Sequence, residues 1–154
     1  MNAHQNNNVP DVVVRGSARD FRQTIDAGKH HLVADEPESA GGSSAGPDPY
    51  DYLLTSLGAC TSMTIGLYAR RKQMPLENIT VSLWHSHIYA KDCEECETKE
   101  GMLDRIDLEV ELTGPLSEEQ HAKLMEIAGK CPVHRTLTSE ISIRLRSTRE
   151  SPLL

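Results

Sequence analysis

Residues 48–72 read DPYDYLLTSLGACTSMTIGLYARRK, and the fold is decided by how this stretch is read. Asp48 and Pro49 suit a helix N-cap and first helical position, and no side chain between Asp51 and Arg70 carries a charge. Tyr50, Leu53, Leu57, Cys60, Thr64 and Tyr68 recur at three- or four-residue steps, so the spacing predicts a helix with a thiol in the middle of one stripe. Small neighbours (Gly58, Ala59, Thr61, Ser62) let other groups approach that thiol. Arg70, Arg71 and Lys72 complement the negative end of the helix dipole, and Pro75 marks the stop. The uncharged run approaches the roughly 18 to 20 residues that span a bilayer. Its hydroxyls (Thr55, Ser56, Thr61, Ser62, Thr64) and glycines (Gly58, Gly66) instead mark a core helix with little exposed face.

Upstream of this helix, VPDVVVR, RDFRQTI and KHHLVAD read as three short strands, with Ala27-Gly28 placed like a hairpin turn. EPESAGGSSAGPDP then reads as a surface loop. Downstream, residues alternate from Ile79 to Ala90, which puts His85, His87 and Tyr89 on the apolar side with Ile79, Val81 and Leu83. Met102–Thr113 alternates likewise, and KDCEECETKEG bridges the two as a hairpin tip. Ser117 and Gln120 form a capping box that opens a second helix, with Leu124, Ile127, Ala128 and Cys131 on one face and Pro132 ending it. SEISIRLR reads as a last strand that buries Ile141, Ile143 and Leu145. The pattern predicts an α+β domain over residues 9–154 with largely antiparallel pairing, a long central helix and a second helix, after a flexible polar tail at residues 1–8.

A net charge of -7 disfavours a sequence-independent grip on nucleic acid or anionic lipid, so neither a nucleic acid nor a membrane is expected as partner. MNAHQNNNVP lacks the basic start and apolar core of a secretory signal, which gives a cytoplasmic expectation with mostly reduced cysteines.

Cys60 and Cys131 each fall on an apolar stripe, where an inert packing role is the simplest reading. Their company points elsewhere: Cys131 is followed by His134 and Arg135, and Cys60 sits among glycines and hydroxyls. Cations and donors of this kind stabilise thiolates, and two such thiols can pass an oxidising equivalent from sulfenic acid to disulfide. A Cys60–His134 hydrolase pair is a further reading, without an oxyanion-hole signature to support it.

GPDPYDYLLTSLGACTSMT around Cys60 together with KCPVHRTLTS around Cys131 resembles the OsmC/Ohr family of cysteine-based peroxidases, in its OsmC-like branch. The resemblance runs from about Val12 to Leu145. It implies an intertwined homodimer with sites at the subunit interface, a peroxidatic Cys60 and a resolving Cys131. It implies that an organic hydroperoxide is reduced to an alcohol in stress defence, that a dithiol such as a lipoylated protein reopens the disulfide, and that no metal, flavin or haem cofactor is required. The family's thiolate-stabilising arginine matches Arg19 in SARDFRQ, with Arg15 and Arg22 as fallbacks. The chain departs from the family at the glutamate that orients this arginine: Tyr50 stands there, and Asp51 is the nearest carboxylate. The alternative is a protein of this fold that binds a small apolar ligand at the interface without peroxidase turnover.

Cys93 and Cys96 form CEEC amid Asp92, Glu94, Glu95 and Glu97, whose like charges disfavour a thiolate. Three readings stand for this loop: half a zinc site completed by His85 or His87, a local disulfide or redox-sensing role, or a hairpin tip without chemistry.

Overall fold

The structure is a computed structural model, and it describes residues 9–147. The tail expected at residues 1–8 lies outside them. The chain forms two compact units, one of residues 9–56 with Leu83–Asp107 and one of Leu57–Ser82 with residues 108–147.

In the first unit the predicted meander is present as β1 (Val12–Gly16), β2 (Gln23–Ala27) and β3 (His30–Ala34), antiparallel in the order β1-β2-β3. Val12 pairs with Ala27 and Gly16 with Gln23, and Ala27 pairs with His30, so Gly28 and Lys29 form the turn between β2 and β3. Gly28 has φ +60°, which a side chain would resist. β2 begins later than RDFRQTI implied: the Ser17 hydroxyl accepts the Arg19 N–H, and this local turn takes Arg19 to Arg22 out of the ladder.

The Gly/Ser/Pro segment after β3 is anchored at its start. Asp35 is 3% exposed, and its carboxylate accepts the N–H groups of Glu36, Ser43 and Ala45 and the Ser43 hydroxyl. These bonds, the Ser43 hydroxyl first, hold the Asp35 carboxyl below its ordinary value. Gly46 passes so close to β3 that a Cβ there would lie 2.2 Å from the Val33 carbonyl oxygen.

The central helix, α1, runs Pro49–Arg71. Asp48 caps it reciprocally: its carboxylate accepts the Asp51 N–H at 2.8 Å, and Asp51 accepts the Asp48 N–H at 3.2 Å. The Tyr52 hydroxyl donates to the Val33 carbonyl at 2.6 Å, tying the first turns of α1 to β3.

β4 (Asn78–Tyr89) and β5 (Met102–Thr113) form a two-stranded sheet, antiparallel because Glu77 bonds to Thr113 at one end and Ala90 to Gly101 at the other. The alternation predicted for β4 fails near its end. His85 is half-buried as expected, but Ile88 rather than His87 or Tyr89 is the next shielded residue.

In the second unit Ile65 and Ala69 of α1 pack with Leu124 and Ala128 of α2 (Glu118–Ala128), flanked by Met74, Leu76, Ile79, Val110, Leu112 and Leu116. The capping box at Ser117 and Gln120 is present in both directions. A third helix, α3 (Pro132–Leu137), follows.

Two readings of the sequence are corrected here. The covered stripe of α1 is Leu57, Gly58, Thr61, Ile65 and Ala69, one position round from the stripe centred on Cys60. A helix uncharged on every side gives periodicity little with which to choose a face. The strand expected at SEISIRLR has no ladder partner among the described residues, and Ile141, Ile143 and Leu145 are 49, 88 and 99% exposed. Alternation supplies a strand's apolar face, but an open sheet edge must supply its hydrogen bonds. The described residues form an α+β fold with antiparallel sheets and three α-helices.

Candidate functional site

Both thiols singled out in the sequence are free. Cys60 sits mid-way along α1 at the edge of the buried stripe and is half-buried, and the Thr64 hydroxyl donates back to its carbonyl at 2.7 Å. Cys131 is fully buried, but the reason differs from the one expected. α2 ends at Ala128, and Cys131 is the N-cap of α3, with Pro132 at the first helical position. Proline there starts a helix rather than ending one, because its missing N–H is among those a helix leaves unpaired.

The N-cap role fixes the sulfur. Cys131 Sγ accepts the backbone N–H of His134 at 3.2 Å and the Thr61 hydroxyl at 3.6 Å. Thr61 follows Cys60 on α1 and is 1% exposed, so the Cys131 thiol is held against the residue adjoining Cys60. Charge on sulfur strengthens both bonds. His134 serves through its backbone, which leaves the Cys60–His134 hydrolase reading without support from this contact. Sequence reasoning missed Thr61; its signal was the hydroxyl directly after the cysteine in GACTS.

Arg19 and Asp51 belong to the other compact unit. Arg19 is exposed in the β1–β2 connection, and among the described residues no ion pair joins it to Asp51. The Asp51 carboxylate holds the Asp48 N–H instead. Of the two fallbacks, Arg15 is paired with Asp26 and Arg22 is exposed.

The CEEC loop is closed by a Cys93–Cys96 disulfide with the Cα atoms 5.4 Å apart, within the ordinary range for such a bond. The zinc set drawn from Cys93, Cys96, His85 and His87 is therefore corrected: both sulfurs are bonded to each other, and the expectation of reduced cysteines fails at this pair. The two histidines have another companion. His85 Nε2 lies 2.7 Å and His87 Nε2 3.1 Å from one oxygen, Oδ1, of Asp104. The Tyr50 ring stacks on His85 with centroids 4.3 Å apart and planes 11° from parallel. The hydrogen bond from His85, then the charge of His87, holds the Asp104 carboxyl below its ordinary value.

No described helix is long and apolar enough to cross a membrane. The sequence profile of OsmC-like proteins matches residues 41–146, which takes in both free cysteines. No curated protein matches the chain in sequence. Among solved structures, an OsmC-like protein from Mycoplasma pneumoniae is 22% identical with a TM-score of 0.65, over 82% of this chain and 85% of its own. An organic hydroperoxide resistance protein, OsmC, from Legionella pneumophila is 19% identical with a TM-score of 0.59, over 82% of this chain and 87% of its own. The organic hydroperoxide resistance protein OhrB of Bacillus subtilis is 20% identical with a TM-score of 0.57, over 82% and 88%. Identities this low establish the fold, and the profile, which covers most of the chain, establishes the kinship: the chain belongs to the OsmC-like protein family.

Proposed function

We propose that the chain is a thiol-dependent peroxidase that reduces organic hydroperoxides to alcohols in stress defence. The observation that carries this reading is the pair of free thiols in one compact unit, with Cys131 bonded to the neighbour of Cys60. The names of the Legionella pneumophila and Bacillus subtilis structures support the substrate class.

In the proposed cycle the Cys60 thiolate attacks one oxygen of the hydroperoxide, the O–O bond breaks, and an alkoxide leaves and takes up a proton. Cys60 is then a sulfenic acid. Cys131 displaces its hydroxyl as water and forms the disulfide. A dithiol, with a lipoylated protein as the class expected, reopens it and becomes a cyclic disulfide. Arg19 is assigned to stabilise the Cys60 thiolate and Asp51 to orient that arginine. The working form is a homodimer, which accounts for the uncovered apolar side chains on α1, where Met63 is 71% and Leu67 43% exposed.

The test is hydroperoxide consumption by the reduced protein with a small dithiol, using cumene hydroperoxide and hydrogen peroxide in parallel. Cys60→Ser is expected to abolish turnover and oxidation together. Cys131→Ser should lose turnover yet still form a Cys60 sulfenic acid. Asp51→Asn keeps a capping oxygen but removes the charge; an unchanged Cys60 oxidation rate in this variant would remove Asp51 from the mechanism. No turnover with either peroxide, in a folded protein with free thiols, would overturn the peroxidase reading and favour a ligand-binding protein of the same fold.

A further inference from the structure

His85, His87 and Asp104 form a cluster that the thiol chemistry does not use. His85 and His87 are two residues apart on β4, and Asp104 comes from the neighbouring strand β5. One ligating atom from each of the three lies within 4.8 Å of the others. Both imidazoles present Nε2 to the cluster, 2.7 and 3.1 Å from the same carboxylate oxygen. Ligands on a tetrahedral zinc ion, with bonds of about 2.0 to 2.1 Å, stand roughly 3.3 Å apart. The two histidine–carboxylate spacings are thus slightly closed, and a small rotation of the exposed Asp104 side chain opens them.

The scaffold around the cluster is built for fixed positions. Backbone bonds pair the strands at both ends, from Glu77 to Thr113 and from Ala90 to Gly101, and the tip beyond carries the Cys93–Cys96 disulfide. The His85 side chain is 15% exposed with its ring against Tyr50, which limits the directions Nε2 can take. His87 and Asp104, at 60 and 62% exposed, leave the solvent side open.

We propose that His85, His87 and Asp104 bind one divalent first-row transition ion such as zinc. Two neutral imidazoles and a carboxylate are a borderline donor set suited to such ions. Three protein ligands leave a further position for water or a small anion. The ion takes the place of the hydrogen bonds that now join the histidines to Asp104. The site is independent of Cys60 and Cys131, and its test needs no peroxide.

Zinc binding to the untagged full chain is measured by titration calorimetry near neutral pH, with cobalt(II) as the spectroscopic probe. One ion per chain is expected, with ligand-field bands from cobalt and no sulfur-to-cobalt charge-transfer band. His87→Ala and Asp104→Asn should each weaken binding by more than about tenfold, since losing a ligand costs more than the roughly 10- to 100-fold of losing its supporting partner. Both side chains are exposed, and near-UV circular dichroism checks that the variants fold. His31→Ala, which removes a comparable histidine–aspartate pair with Asp26, should leave binding unchanged. Absence of zinc binding by the wild type overturns the proposal. So does affinity untouched by both substitutions, or a charge-transfer band that places the ion on cysteine.

Discussion

At the scale of single residues, the contact that most directly bears on chemistry is the Thr61 hydroxyl on Cys131 Sγ. Thr61→Val keeps the shape and removes the donor, and a hydrogen bond of this kind is worth about 1 kcal/mol. Formation of the Cys60–Cys131 disulfide should slow by about fivefold, the rate equivalent of that energy, while oxidation of Cys60 itself keeps its rate. Single-turnover kinetics with one equivalent of peroxide separates the two steps. Cys60 and Cys131, both free in the structure, were singled out in the sequence by their company, glycines and hydroxyls around the first and His134 and Arg135 after the second. Thr61 and Asp104 were not, because their roles depend on residues 70 and 19 positions away. Periodicity carries no signal over such distances. Asp35 was missed for the same reason: its buried carboxylate organises a loop whose Gly/Ser/Pro composition announces only that it is a loop.

Individual elements show how local signals succeed or fail. The capping boxes at Asp48 and Ser117 are spelled within four residues of chain, and both helices begin where those residues say. Near the end of α2 the Glu126 carboxylate opposes the helix dipole, and Lys123 at 2.8 Å and Lys130 compensate it. Hydrogen bonds from Lys123 and then Lys130 lower the Glu126 pKa from 4.5 to about 2. A carboxylate whose pKa falls on folding contributes stability that is full above its unfolded value and disappears as the pH drops through its folded value. Glu126→Gln should therefore flatten the pH dependence of unfolding between 4.5 and about 2, with the loss of stability present above that window and vanishing below it. Denaturant midpoints across that window check it, and because the pair is exposed the effect should shrink with added salt. Cys131 was misplaced in the sequence because Pro132 is ambiguous on paper. The same proline ends a helix that reaches it and starts one that follows, and only the tertiary position of the sulfur decides between them.

For the whole molecule, the α+β class and the three-stranded meander followed from the order of strands and helices, whereas the exposed face of α1 and the SEISIRLR segment, which has no ladder partner among the described residues, concern exposed surfaces. The homodimer proposed above gives these surfaces a use. Light scattering should return a mass twice 17.1 kDa for the reduced protein. Met63→Glu, which puts a charge on a 71% exposed position, should shift that mass toward a single chain without unfolding it. A wild-type mass of one chain would remove the dimer from the proposed working form.

The Cys93–Cys96 bridge at the tip of β4 and β5 also changes how electrons are counted. A preparation reduced to completion carries two dithiol couples per chain, whereas one that keeps this bridge carries only Cys60 and Cys131. Four electrons are available in the first case and two in the second, and each peroxide reduced in the proposed cycle takes two. If the tip cysteines also become oxidised, complete reduction raises the apparent stoichiometry from one peroxide per chain to two with no second catalytic centre. Conversely, a fractional value measured per chain acquires meaning only after the oxidation state of the hairpin tip has been assayed.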